Sequence, residues 1–200
     1  MSKFKTIQVG MLDVNCYLVP IKDKNRLYII DPGAEADRII KAAKKFNCAD
    51  YIILLTHAHI DHISAVGCVA KALNAPVVLD TNEHGLYDSP NNQILPFMSA
   101  AKDLPKTVEN ISDADFEIIQ TPGHTLGGVA YYFPTLPALF SGDTLFAQSV
   151  GRTDLPGGDH QVLLNSIKTK LMVLPETLPV YPGHGPATTI GNEKRHNPYL

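Results

Sequence analysis

Apolar residues in this chain come in runs of three to five, each closed by turn-forming residues, and that spacing predicts strands interleaved with a few helices. The first thirty residues hold three such runs: Thr6-Ile7-Gln8-Val9, Cys16-Tyr17-Leu18-Val19 and Leu27-Tyr28-Ile29-Ile30. Asp13 and the cluster Lys22-Asp23-Lys24-Asn25 separate them, and Asp31-Pro32-Gly33 breaks the third. A helical period follows over 35–46, with Ile39, Ile40, Ala43 and Phe46 on one side. Tyr51-Ile52-Ile53-Leu54-Leu55 is the next strand. A helix is expected to open at Asp61, its buried face carrying Ile63, Val66, Ala70 and Leu73, before the short strand Pro76-Val77-Val78-Leu79.

Residues 85–112 lose the rhythm. They hold Pro90, Pro96, Pro105 and Asn91-Asn92 with weak periodicity, the pattern of a long surface excursion. Such excursions serve as binding rims or lids, or are plain loops, and the sequence leaves both open. The second half returns to strands at Phe116-Glu117-Ile118-Ile119, Val129-Ala130-Tyr131-Tyr132-Phe133 and Ala138-Leu139-Phe140. A helix over 160–172 places Leu163, Ile167 and Leu171 at i, i+4 and i+8, and Pro179-Val180-Tyr181 closes the series. With no linker-like stretch, this order predicts a single α/β domain over residues 1–200.

Composition narrows the function classes. The chain is 44% hydrophobic and 18% charged, as ordinary soluble proteins are. A net charge of -3 supplies no electrostatic footprint for nucleic acid or an anionic membrane. Lys41, Lys44 and Lys45 are expected on a solvated helix face. No apolar stretch has the length of a membrane span, and no signal-peptide core follows Met1-Ser2-Lys3-Phe4-Lys5. Cys16, Cys48 and Cys68 are odd in number and scattered, which points to reduced thiols and a cytoplasmic location.

The chemistry concentrates at strand ends. Thr56-His57-Ala58-His59-Ile60-Asp61-His62 sets four metal-type donors directly behind an apolar run. Buried together, three imidazoles and a carboxylate would desolvate and repel one another without a compensating cation. The plainer role for Asp61 is to cap the following helix. Three more donors, His124, Asp143 and His184, follow apolar strands and are each preceded by Gly, which lets the backbone turn sharply. Loops at the carboxyl ends of strands converge in sheets of this kind. Seven donors exceed one tetrahedral zinc and suit two ions sharing a carboxylate. His57 and His59, two apart, point the same way in an extended loop, while Asp61 and His62 face a neighbouring position. The mixed His/Asp set suits zinc, iron or manganese.

The histidine motif, Gly123-His124-Thr125-Leu126-Gly127, Gly142-Asp143-Thr144-Leu145-Phe146 and Pro182-Gly183-His184-Gly185 resemble the metal motifs of the metallo-β-lactamase superfamily. Ser149-Val150-Gly151-Arg152-Thr153-Asp154-Leu155-Pro156-Gly157-Gly158 and Arg195-His196-Asn197-Pro198-Tyr199 are similar to segments of its short bacterial glyoxalase II-like hydrolases. The resemblance implies a four-layer αβ/βα sandwich. It places His57, His59 and His124 on one metal, Asp61, His62 and His184 on a second, and Asp143 between them. Asp31 would be the acid that orients a ligand imidazole, or a turn former before Pro-Gly.

The implied activity is hydrolysis of S-acylglutathione thioesters such as S-lactoylglutathione by a metal-bridging hydroxide, with Asp61 handling the proton. The other readings are an iron-dependent persulfide dioxygenase, a lactone or ester hydrolase, and a metal-binding protein without catalysis. Longer glyoxalase II enzymes take glutathione contacts from a C-terminal helical region, which the residues after His184 are too few to form. They also use a Lys and a Tyr after the bridging Asp and a Tyr after the last His. Here those stretches offer Arg152, Asp154 and Gly185-Pro186. Arg152 is thus a candidate for a substrate carboxylate, or for a loop ion pair with Asp154 or Asp159.

Overall fold

The computed structural model describes residues 4–200, so Met1-Ser2-Lys3 of the N-terminal segment weighed above lie outside the described residues. The chain divides into two compact units, one ending at Ser112 and the other spanning Asp113–Leu200.

The first unit is a six-stranded sheet in sequence order. Strands β1 (Lys5–Val9), β2 (Val14–Ile21) and β3 (Arg26–Ile30) form an antiparallel meander. Helix α1 (Ala36–Lys44) then crosses to β4 (Asp50–Leu54), which lies parallel to β3 with Ile30 beside Leu54. Helices α2 (Ile60–Ile63) and α3 (Val66–Leu73) lead to β5 (Val77–Val78). Helix α4 (His84–Tyr87) and a long loop reach β6 (Thr107–Val108), parallel to β5. Parallel strands buried on both faces read as unbroken apolar runs, as Leu27–Ile30 of β3 and the end of β4 do. Leu27, Ile29, Ile53 and Val77 share one core cluster with Ile39 and Ala43 of α1 and Val66, Val69 and Leu73 of α3. Burying each large side chain of this cluster contributes about 1.5–3 kcal/mol.

Two expectations change here. The helix opening near Asp61 is two helices, interrupted at Ser64-Ala65; the sequence carries no breaker there, so periodicity alone runs through. Residues 85–112 are partly ordered by backbone pairing: β6 extends the sheet, and Ile94 bridges Met98 around a tight turn.

The second unit is a five-stranded sheet with a separate hairpin. Strands β7 (Glu117–Gln120), β8 (Val129–Phe133) and β9 (Ala138–Gly142) are antiparallel neighbours. The hairpin β10 (Leu145–Phe146) and β11 (Ser149–Val150) follows. Helix α5 (His160–Ser166) is N-capped by Asp159, whose carboxylate accepts the Val162 N–H, and continues as a π-helical segment, Ile167–Leu171. Strand β12 (Pro179–Pro182) returns parallel to β9, and β13 (Thr188–Thr189) pairs with it before helix α6 (Ile190–His196). Leu163, Ile167 and Leu171 are fully buried against Ala130, Leu139 and Val180, as their four-residue spacing predicts. Phe116, Phe133, Phe140 and Tyr131 form an aromatic cluster of edge-on and tilted contacts. Among the described residues no helix is long and apolar enough to cross a membrane.

Candidate metal centre

In the first unit the donors occupy the connection from β4 to α2. His57 is buried, and its ring meets His59 edge-on at 4.8 Å and His62 at 4.2 Å. His59 is the residue before α2 and makes no side-chain cap; Asp61 lies in the first turn with its carboxylate 3.7 Å from His62 Nε2. The capping role for Asp61 is therefore not the one observed.

Asp31 stands behind this group and is itself buried, at 1% exposure. Its Oδ1 accepts the Thr56 N–H at 2.8 Å, and its Oδ2 accepts the Thr56 hydroxyl at 2.7 Å. The same Oδ2 lies 3.0 Å from His62 Nδ1. A carboxylate only accepts, so the Thr56 hydroxyl spends its single hydrogen on Asp31. Toward His57 Nδ1, 3.0 Å away, that oxygen must then accept. Both rings thus carry their proton on Nδ1 and have their lone pair on Nε2, the form of imidazole that binds a cation. Gly33 seats Asp31 against the donor helix: a Cβ on Gly33 would overlap the Asp61 carbonyl oxygen.

The loop between His57 and His59 is held by two side chains from further along the chain. Buried Glu83 accepts the Ala58 N–H at 2.8 Å through Oε2. Buried Asn92 donates Nδ2 to the Ala58 carbonyl at 2.7 Å.

In the second unit His124 follows β7, Asp143 follows β9 and His184 follows β12, as the strand-end rule predicts. Asp143 Oδ2 lies 3.7 Å from His124 Nε2 and 3.5 Å from His184 Nε2. One carboxylate oxygen thus faces two imidazole nitrogens, the arrangement a shared ligand requires. His124 Nδ1 is 2.7 Å from the Arg152 carbonyl, an acceptor only, so this ring too is protonated on Nδ1 and presents a lone pair at Nε2. Gly151 allows the loop to lie flat on Asp143, whose carbonyl oxygen a Cβ there would overlap. The Arg152 guanidinium is engaged elsewhere, bonded to both Asp154 oxygens at 2.7 Å. That pair holds the Asp154 carboxyl down at about 2 and is the loop ion pair weighed against a substrate role.

Buried Glu193 anchors the loop that carries Arg152. It accepts from the Gln148 N–H, the Thr188 hydroxyl, Asn192 and Asn197, and Asn197 also donates to the Ser149 carbonyl. Burial alone would push its carboxyl up, yet these four donors hold it below the usual glutamate range. The C-terminal Arg195–Tyr199 motif thus includes one member, Asn197, that braces the His124 side of the unit.

The donor set fits divalent metal on the chemistry of its parts. Three rings offer Nε2 with the opposite nitrogen fixed by a hydrogen bond, and carboxylates stand beside them in each unit. Each of the seven candidate donors stands at a strand end or in the loop and first helical turn after β4. The sequence did not identify Thr56, Glu83, Asn92 or the Arg152 carbonyl as orienting groups, and a main-chain carbonyl leaves no residue signal to find.

Strand-end donors on these two sheets define the class: the chain belongs to the metallo-β-lactamase superfamily, whose family model matches residues 9–184. It is 39% identical to the probable metallo-hydrolase YqgX of Bacillus subtilis, covering 99% of this chain and 97% of that protein. It is 36% identical to the hydroxyacylglutathione hydrolase GloC of Haemophilus influenzae, covering 97% and 96%. Among solved structures it is similar to TTHA1623 in a di-iron-bound form, with a TM-score of 0.90, 37% identity, and coverage of 98% of this chain and 100% of the other. The fold is the metallo-β-lactamase fold, and the chain is a metallo-hydrolase of that superfamily.

Proposed function

We propose that this metallo-hydrolase cleaves thioesters of the S-acylglutathione class, S-lactoylglutathione among them, in the cytoplasm. His57, His59 and His124 would hold one divalent ion and Asp61, His62 and His184 a second, and Asp143 would serve as the ligand common to both. Zinc, iron and manganese all suit these donors. When bound, such ions polarise an acyl carbonyl and make water nucleophilic near neutral pH.

The chain's own residues do the rest. Asp61 takes the proton of the attacking water on a carboxylate oxygen and returns it to the departing sulfur. Water adds to the acyl carbon, the C–S bond breaks, and the products are a carboxylic acid and a free thiol. Asp31, through Thr56 and directly, keeps His57 and His62 in the tautomer that binds metal. Leu126, 65% exposed two residues after His124, and Phe146, edge-on to the His184 ring, present apolar surface suited to an acyl chain. A protein nucleophile is not called for. Burial, and next the nearby Asp31 charge, push the Cys16 thiol well above its ordinary range, and Cys68 is exposed on α3.

The observation that carries this reading is the single Asp143 oxygen facing His124 and His184. Likeness to GloC supports the thioester class. Zinc- or iron-loaded protein should release thiol from S-lactoylglutathione, measured with a thiol-reactive dye. Asp143→Ala should abolish release and lower metal content. Loaded enzyme that ignores thioesters but opens lactones, or consumes oxygen with glutathione persulfide, would sink the proposal.

A further inference from the structure

Ala58 lies between two donors, after the end of β4 at Leu54 and before α2 begins at Ile60. Its backbone groups therefore have no place in a strand ladder or a helix, and the residue is fully buried. Unsatisfied polar groups at such a position are strongly disfavoured. Here the N–H is taken by Glu83 Oε2 and the carbonyl by Asn92 Nδ2.

These two side chains belong to one small bracket. Glu83 is the residue before α4, and Asn92 spends its other amide hydrogen on the Leu86 carbonyl within that helix, at 3.1 Å. Both are at least nine-tenths buried. The bracket grips the Ala58 backbone from both its polar sides. His57 and His59 flank that residue with rings 4.8 Å apart at 90°, so a change in its backbone angles swings the two imidazoles relative to one another.

We propose that Glu83 and Asn92 are positioning residues of the metal centre, fixing the Ala58 backbone and thereby the spacing of His57 and His59. This rests on the metal reading above, and it gives the start of the 85–112 excursion a role: it braces the donor loop. Neither residue belongs to the motifs that carry the donors.

Cobalt(II) titration followed by visible absorption tests this, because the bands report the geometry around each ion. Wild-type protein should take up two ions. Asn92→Ala and Glu83→Ala should bind one of them about 10–100-fold more weakly, with altered bands, and leave the other unchanged. Glu83→Gln, which keeps an acceptor for the Ala58 N–H, should titrate as wild type does. Wild-type titration and bands in Asn92→Ala would overturn the inference even if its melting temperature falls. Equal losses in Glu83→Gln and Glu83→Ala would overturn it too. Wild-type protein that takes up no cobalt would instead refute the metal reading itself, an outcome told apart by that arm alone. Should Glu83→Ala fail to fold, Asn92→Ala decides.

Discussion

Asp31→Asn keeps the size of the side chain and exchanges one acceptor for a donor. Position 31 has a left-handed backbone, φ 49°, which asparagine tolerates as aspartate does, so the main chain does not confound the result. If the amide oxygen stays on the Thr56 N–H, the new NH2 group faces the Thr56 hydroxyl and His62 Nδ1. Thr56 then accepts from the introduced amide and turns its hydrogen toward His57. Both His57 and His62 are driven to the Nε2–H tautomer, which has no lone pair to offer a cation. The opposite amide orientation sets NH2 against the Thr56 N–H. The first orientation loses the two hydrogen bonds to Oδ2 and the second the one from the Thr56 N–H, each contributing about 1.5–3 kcal/mol. Orienting partners of this kind change metal affinity about 10–100-fold, so each ion should lose about 1.4–2.7 kcal/mol of binding free energy. Competition against a zinc chelator reads the affinity, and melting of the metal-free and loaded forms reads the linked stabilisation. Wild-type zinc affinity in Asp31→Asn would refute the tautomer argument.

Gly33→Ala drives a methyl into the Asp61 carbonyl oxygen. It should destabilise the protein by about 1–3 kcal/mol and weaken the ion proposed on Asp61 and His62 more than its neighbour, measured by urea unfolding and metal titration. Glu193 has a folded-state pKa below its unfolded value, so its contribution is complete above about pH 4.3 and is lost as pH falls through the lower folded pKa. Urea midpoints of wild type should therefore fall more steeply below that pH than those of Glu193→Gln; parallel curves would contradict the assignment.

Most strands are legible in the sequence because each is a compact apolar run closed by turn residues, as Leu27–Ile30 and Val129–Phe133 show. The two-residue strands Thr107–Val108, Leu145–Phe146, Ser149–Val150 and Thr188–Thr189 are too short to alternate, and only their partners define them. Helix α6 has no such signal, since Gly191-Asn192-Glu193-Lys194 carries no apolar stripe. Glu193 is buried because four donors converge on it, a fact of tertiary packing. The candidate donors stand out by residue type and strand-end position. What orients them does not: Glu83 sits 25 positions from Ala58, and Asn92 lies 34 positions away in a stretch with turn-like composition.

His124 is aimed by the main chain of residue 152, while the side chain at 152 is turned to Asp154. The two tasks of that loop are thereby uncoupled. A carbonyl is present whatever the residue, so positions 152 and 154 can be exchanged without removing the atom that orients His124. Variation in the side chains of this loop is accordingly separable from the aim of the His124 ring.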